Sequence, residues 1–371
     1  MTIDPTGLRS RMLGVLRESG VLRGDSIEGA FMTVPRELFL PGVPLERVYS
    51  GDAIPTKRDL SGNPISSSSE VGVMVVMIEM LQLAPGHRVL EIGAGTGYNA
   101  AVLSVLVGGT GEVTTVEIDP RFAEEARGHL SAAGFGSPLV VTGDGWLGHP
   151  ERAPYDRIEV TASSVNVSPR WVDQLTPEGR VVLPLRLPAG PQILVAFRKD
   201  DGRLLSTSVR PGGFMPLRGA NAPAPTFTAI GNFEVEPAEL LADAIDVLAA
   251  LLSERPRVEV GPPMRWDTYS LLALEPGALS VRRRGQQGSA VGIFDRRARG
   301  LALVEMAGGP LSGPLSHIVS FGAPSVTVEL KERLEVLASA VLGDLSISAE
   351  PCGGPDAPGY RFAFARRVAT E

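Results

Sequence analysis

Residues 88 to 99 read Arg-Val-Leu-Glu-Ile-Gly-Ala-Gly-Thr-Gly-Tyr-Asn, and this stretch decides the fold. A short apolar strand carries an acid, Glu91, and Gly93, Gly95 and Gly97 then open a helix. Glycine lets the backbone turn sharply and approach a ligand closely. The first turn of the helix that follows presents N–H groups without intrahelical partners. Together these predict a nucleotide-type cofactor site. A dinucleotide fingerprint would place glycine at its first, third and sixth positions. Here the sixth position is Tyr98, so the pattern departs from that fingerprint.

The neighbouring segments extend the pattern. Residues 112 to 118, Glu-Val-Thr-Thr-Val-Glu-Ile, form a β-branched strand with Glu117 near its end. An acid at that place can accept hydrogen bonds from both ribose hydroxyls, as acids do in dinucleotide folds about 20 residues past their glycine loop. Residues 139 to 142 predict a third strand leading into Gly143-Asp144-Gly145-Trp146, and residues 156 to 161 a fourth ending at Thr161-Ala162. Four strands each ending in a candidate ligand group match the rule that open α/β sheets bind at their carboxyl edge. The series Glu-x-Gly-x-Gly-x-Gly resembles motif I of S-adenosylmethionine (SAM) dependent methyltransferases. That resemblance implies SAM as cofactor, held by Glu91, Gly93, Ala94, Gly95, Gly97, Tyr98, Asn99 and Glu117. It also implies that Asp144 meets the adenine amine and that the backbone of Gly145 meets the adenine ring.

Composition narrows the class. The chain has 371 residues, a length that suggests about two to three domains. Its hydrophobic content of 43% suits a soluble protein with real cores. A net charge of −7 argues against nucleic acid as the main partner. The single cysteine, Cys352, excludes an internal disulfide and a cysteine metal cage. His87, His129, His149 and His317 show no ligand spacing, so no metal site is expected. No apolar run approaches the roughly 18 residues of a membrane span, and no basic-then-apolar segment follows Met1. The expectation is a cytoplasmic enzyme that does not engage membranes.

Along the chain, residues 7 to 19 have the apolar spacing of an amphipathic helix, and residues 26 to 40 predict a second short helix and turn bounded by Pro35. Tyr49 to Ser69 is polar and reads as a loop. Val71 to Leu83 is a strongly apolar helix stopped by Pro85-Gly86. From 88 to 184 strands alternate with helices at 97–107, 121–133 and 168–175, which predicts a parallel sheet with helices on both faces. Further strands follow at 181–185, 192–199 and 204–209, the last two joined by Asp-Asp-Gly, a hairpin signal. Gly219 to Pro225 reads as a linker. Beyond it, 237–253 and 326–342 have helical spacing, 268–305 read as short strands, and Arg282–Arg284 with Arg296, Arg297 and Arg299 form two basic clusters. Such clusters are usually solvated loops, but they also fit an acidic-peptide docking surface. The predicted organisation is an N-terminal helical cap and active-site loop (1–84), a SAM-binding core (85–218), a linker (219–226) and a smaller α+β accessory domain (227–371). The fold class is α/β, a SAM-methyltransferase Rossmann-like sheet with N-terminal helices.

From about residue 8 to 217 the chain resembles the protein-L-isoaspartate O-methyltransferase family. The resemblance rests on Phe31-Met32-Thr33-Val34-Pro35-Arg36-Glu37-Leu38-Phe39 and Val89 through Tyr98. It also rests on Gly143-Asp144-Gly145-Trp146 with Ala153-Pro154-Tyr155-Asp156, Val160-Thr161-Ala162, and Leu175 through Pro184. It implies methylation of an isoaspartyl or aspartyl carboxyl on a protein or peptide, followed by succinimide formation from the ester. Two departures stand out. The family's active-site loop, Thr-Ile-Ser, a variable residue, Pro, His or Tyr, then Met, is replaced here by Pro64-Ile65-Ser66-Ser67-Ser68-Ser69-Glu70-Val71-Gly72. The C-terminal domain is expected to be foreign to the housekeeping members. Both traits are similar to the branch dedicated to lanthipeptide- or graspetide-type peptide tailoring.

Matching Ile-Ser locally selects Ser66 as the substrate-orienting serine, whereas counting back without a gap from Ile78-Glu79-Met80-Leu81 selects Ser69, which is favoured because a helix fixes distance better than a loop. A four-serine run also reads as a turn or helix N-cap. A carboxylate with pKa about 4 is already ionised at neutral pH, so no strong general base is required. Three readings therefore remain open: general isoaspartyl repair, a dedicated aspartate methyltransferase of a peptide natural-product pathway, and a non-catalytic SAM-fold scaffold.

Overall fold

The computed structural model describes residues 4–60, 62–237, 241, 243–286, 288–307, 315–353 and 359–366. Helix α1 (Pro5–Glu18) starts where Asp4 accepts from the amides of Thr6 and Gly7, with proline at the first helical position. Helices α2 (Asp25–Thr33) and α3 (Leu45–Val48) follow, then a hairpin of β1 (Ile54–Arg58) and β2 (Pro64–Ser68). The expectation of a loop over 49–69 is thus corrected. Backbone pairing such as Ile54 with Ser68 makes a ribbon out of residues too polar to announce one. Helix α4 (Val71–Leu81) is apolar on every side, and nine of its 11 residues are buried. It stops at Gln82, whose left-handed backbone (φ 53°) turns the chain toward the sheet.

The core alternates as predicted: β3 (Arg88–Ile92), α5 (Tyr98–Val107), β4 (Glu112–Glu117), α6 (Pro120–Ala132), β5 (Leu139–Thr142), β6 (Tyr155–Val160), α7 (Pro169–Asp173), β7 (Leu175–Arg186), β8 (Gln192–Asp200) and β9 (Arg203–Pro211). Strands β5, β4, β3, β6 and β7 run parallel, β8 adds antiparallel to β7, and β9 adds antiparallel to β8. The hairpin β8–β9 closes through Asp201 and Gly202, both at positive φ, which is the backbone its tight turn requires.

The second sheet comprises β10 (Thr228–Ile230), β11 (Phe233–Glu236), β12 (Arg257–Val260), β13 (Ala278–Arg283), β14 (Ala290–Asp295), β15 (Gly300–Ala307) and β16 (Leu315–Gly322), paired antiparallel in the order 10-11-13-14-15-16-12. Helices α8 (Ile245–Ser253), α9 (Trp266–Leu272) and α10 (Pro324–Leu337) belong to the same region. Residues 268–272, expected as strand, are helical, with Thr268 through Leu272 buried. Of the helix expected over 237–253, residues 238–240 and 242 lie outside the described residues, and the described helix begins at Ile245.

The last two strands, β17 (Leu345–Cys352) and β18 (Gly359–Arg366), do not pair with the second sheet. Strand β17 pairs with β9, so residues 345–366 extend the first sheet to nine strands, ordered 18-17-9-8-7-6-3-4-5. One buried apolar cluster runs from Leu90 and Trp171 in the core through Leu204 and Ile347 to Leu271, Val304 and Leu334. The two sheets therefore share a hydrophobic interior rather than meeting through a polar seam. Among the described residues no helix is long and apolar enough to cross a membrane.

Candidate functional site

The glycine loop forms at the carboxyl end of β3, beside the tips of β4 and β6. Gly93 has φ +102°, and a side-chain carbon there would lie 2.6 Å from the Thr161 hydroxyl. That hydroxyl is 2.9 Å from the carbonyls of both Ile92 and Gly93, tying the end of β6 to the loop. Gly97, at φ +85°, is the N-cap of α5. These are the backbone conformations for which the sequence needs glycine.

A cavity of about 680 Å³ opens beside this loop. It is lined by Glu91, Gly93, Ala94, Gly95, Tyr98, Asn99, Glu117 and Gly145, and by the whole run Ser66 to Ser69. The residues named from sequence are thus brought together, with two exceptions. Gly97 lies behind the loop and shapes it. Asp144 is outside the lining, because its carboxylate accepts from the amide of Trp146 (3.0 Å) and from the amide and Nδ2 of Asn221 (3.2 and 2.9 Å). The acid expected to face an adenine amine instead clasps the segment that follows β9. Glu117 keeps its position at the tip of β4, its carboxylate accepting from the amides of Gly95 and Asp119 at 3.1 and 3.2 Å.

The floor is acidic. Asn99 donates through Nδ2 to Glu91 (2.8 Å) and to Glu159 (2.7 Å), and its Oδ1 is buried without a hydrogen-bond partner among the described residues. Burial pushes the Glu91 carboxyl up to about 8, with the Glu159 and Glu117 carboxylates adding to the rise. Burial likewise pushes Glu159 up to about 7, against the hydrogen bond from Asn99. Glu159 was not singled out from sequence. Its signal was an acid among the last three residues of its strand, all buried, where parallel strands normally carry apolar side chains.

The four serines differ. Ser66 and Ser68 are buried within the hairpin, where the Ser66 hydroxyl accepts from Thr56 at 3.0 Å and the Ser68 hydroxyl accepts from Arg36 at 3.2 Å. Ser69 is half-buried, and its hydroxyl makes no hydrogen bond among the described residues, while its carbonyl accepts from Arg36 at 2.8 Å. Arg36 is another residue that sequence reasoning left without a role. It is fully buried, donates also to the carbonyls of Val48 and Asp52, and lies over the Tyr98 ring at 5.7 Å. Burial pulls its pKa below the usual arginine value. Among the described residues no cluster of histidine, cysteine or acid could hold a metal.

A family model described as "Protein-L-isoaspartate(D-aspartate) O-methyltransferase" matches residues 8–222. A protein-L-isoaspartate O-methyltransferase of Hyperthermus butylicus is 37% identical over 219 residues, covering 57% of this chain and 88% of that protein. One of Methanopyrus kandleri is 37% identical over 214 residues, covering 57% and 91%. A solved protein-L-isoaspartate O-methyltransferase structure superposes with a TM-score of 0.57 at 25% identity, covering 97% of this chain and 100% of its own. That coverage reaches past the core into the second sheet, so the C-terminal region, expected to be foreign to such enzymes, has a counterpart in one of them.

Proposed function

This chain belongs to the protein-L-isoaspartate(D-aspartate) O-methyltransferase family, and on that premise we propose how its own residues carry out carboxyl methylation. It is a SAM-dependent O-methyltransferase acting on isoaspartyl residues. The observation that carries the residue assignment is that one cavity joins the glycine loop, Glu117 and Ser69.

The cavity suits the donor. The floor presents Glu91, Glu117 and Glu159, together with the unpartnered Oδ1 of Asn99, to a ligand that carries positive charge. When bound, SAM supplies an electrophilic methyl group on a sulfonium. Glu117 holds the ribose hydroxyls with whatever acceptor capacity its two amide contacts leave. The loop from Gly93 to Gly97 lets the backbone lie against the donor where a side chain would block it. Ser69, with a hydroxyl free to donate, orients the incoming carboxylate, and Ser66 supports the hairpin from within. The inner residues of the hairpin, Ser66 and Ser68, and the buried helix α4 keep water from the reacting oxygen. The catalytic task is alignment of an already ionised carboxylate, so no strong general base is required. The methyl ester carries methoxide, a far better leaving group than the oxide of a free carboxylate, so the adjacent backbone nitrogen, losing its proton, attacks the ester carbonyl, closes the succinimide and releases methanol.

A dedicated peptide-tailoring role draws support from the serine run in place of the family's usual loop, but none from the C-terminal region, which a solved relative shares. The test is transfer of labelled methyl from SAM to a panel of linear isoaspartyl peptides and their aspartyl counterparts. Base-labile label on diverse isoaspartyl peptides is expected, and Ser69→Ala is expected to lower kcat by on the order of a hundredfold while leaving calorimetric SAM affinity intact. Absence of transfer to any peptide would overturn the reading, and transfer confined to one constrained aspartyl peptide would move it to the tailoring branch.

A further inference from the structure

The charged groups around the cavity are sorted by sign. Acids occupy the floor, and the cationic side chains among its described lining residues are Arg218 and Arg282. Arg218 follows β9 and is exposed. Arg282 comes from β13 of the second sheet, whose following turn brings Gln286 and Gly288 to the same cavity. The second sheet therefore forms one wall of a site whose chemistry lies in the first.

That wall is fixed in place. Arg282 donates to Glu234 at 2.6 Å and lies 3.8 Å from the centroid of the Phe227 ring. Arg186, at the end of β7, stands over the same ring and pairs with the buried Glu236 at 2.5 Å, while Ser280 donates to Glu236 at 2.8 Å. Arg218 and Arg284 make no ion pair among the described residues. The strand ladder continues past β13, since the Arg284 amide donates to Asn232 at 2.9 Å. Alternation then puts Arg284 on the same side as Arg282, with Arg283 on the opposite side, over Phe233.

We propose that this arginine wall selects acceptor peptides carrying further carboxylates beside the residue to be methylated. The inference rests on the carboxyl-methyltransferase reading and adds a substrate class to it. A protein of net charge −7 repels an acidic peptide over most approaches. An anionic chain is favoured only along the wall where unpaired guanidinium groups stand. The reacting carboxylate is common to every acceptor, so it is the flanking charges that the wall distinguishes.

Two fluorescent isoaspartyl peptides of equal length, one flanked by glutamates and one by glutamines, test this. Binding is read by anisotropy in saturating S-adenosylhomocysteine, and methyl transfer is read in parallel. The acidic peptide is expected to bind roughly tenfold more tightly at low salt, with the ratio shrinking as salt rises. Arg218→Gln combined with Arg284→Gln should bring the ratio near one, while Arg283→Gln, which removes one charge from the other side of the strand, should preserve it. Arg218→Gln alone is a milder second variant, and circular dichroism reports whether each folds. Equal binding of the two peptides by the wild-type chain would overturn the proposal, as would a preference that survives the double variant. Peptide discrimination without methyl transfer would instead defeat the carboxyl-methyltransferase reading and leave the wall's selectivity standing.

Discussion

At the scale of single residues, the buried acids set the molecule's response to pH. Glu159 is about 1% exposed, and burial lifts its carboxyl from the usual 4.5 to about 7. Its folded pKa lies above its unfolded value, so the native state binds the proton more tightly. The contribution of this group to stability is then highest below about pH 4.5, falls as pH climbs through the window from 4.5 to 7, and levels off above it. Glu159→Gln keeps an oxygen to accept from Asn99 and cannot ionise. It should therefore stabilise the donor-free protein by roughly 3 kcal/mol at pH 8 and by little at pH 5. Melting curves across that range check this, and parallel slopes for wild type and variant would refute it. The residue scale is also where sequence was most and least informative. Gly93, Gly95 and Gly97 announce their positions because no other residue tolerates them. Glu159 and Arg36 do not, because a buried charge is legible only once its surroundings are known.

Among the elements, the β1–β2 hairpin was hidden from sequence because its strands lack apolar alternation. What holds it is Arg36, between Pro35 and Glu37 in the segment Phe31–Phe39. Its guanidinium reaches the carbonyls of Val48, Asp52 and Ser69 and the Ser68 hydroxyl, and among the described residues no carboxylate pairs with it. A planar fork serves several acceptors at once, which a lysine ammonium at the same site does not reproduce. Arg36→Lys should accordingly loosen Ser69 without touching the glycine loop. A fall in kcat of on the order of tenfold is expected, with donor affinity held within about twofold. An unchanged kcat, or a loss confined to donor binding, would remove Arg36 from the positioning role. The parallel strands, by contrast, were plain in the sequence. Strands β3 to β6 are short runs containing β-branched residues and bounded by Gly93, Glu117, Gly143 and Thr161, and they fall where those runs lie. Helix α9 was misread as strand because seven residues rich in Thr, Tyr and Leu have no helical period to display.

For the molecule as a whole, the path of the chain's last strands matters most. Sequence suggested a boundary at 219–226 because glycine, proline and alanine crowd there, and segments 212–215 and 217–227 do carry neither helix nor strand. Contacts distant in sequence leave no such mark. Strand β17 returns to the edge of β9, placing Leu345, Ile347 and Ala349 in the same buried cluster as Leu204 and Val209, with Tyr360 of β18 beside them. Asn166, just after the tip of β6, accepts from the Tyr360 amide at 2.9 Å and donates to its carbonyl at 3.2 Å, binding the strand's start to the catalytic core. Burying side chains of this size stabilises by about 1.5–3 kcal/mol each, and removing them also bares the backbone edge of β9 to aggregation. A chain cut after Asp344 should therefore melt at least roughly 10 °C lower than the full chain, or fail to stay soluble, although it retains the glycine loop, the hairpin and the second sheet. Calorimetry of the two chains, with S-adenosylhomocysteine binding measured on whatever folds, decides it. If the shortened chain melts with the full one, then β17 and β18 are an ornament on a core that stands without them.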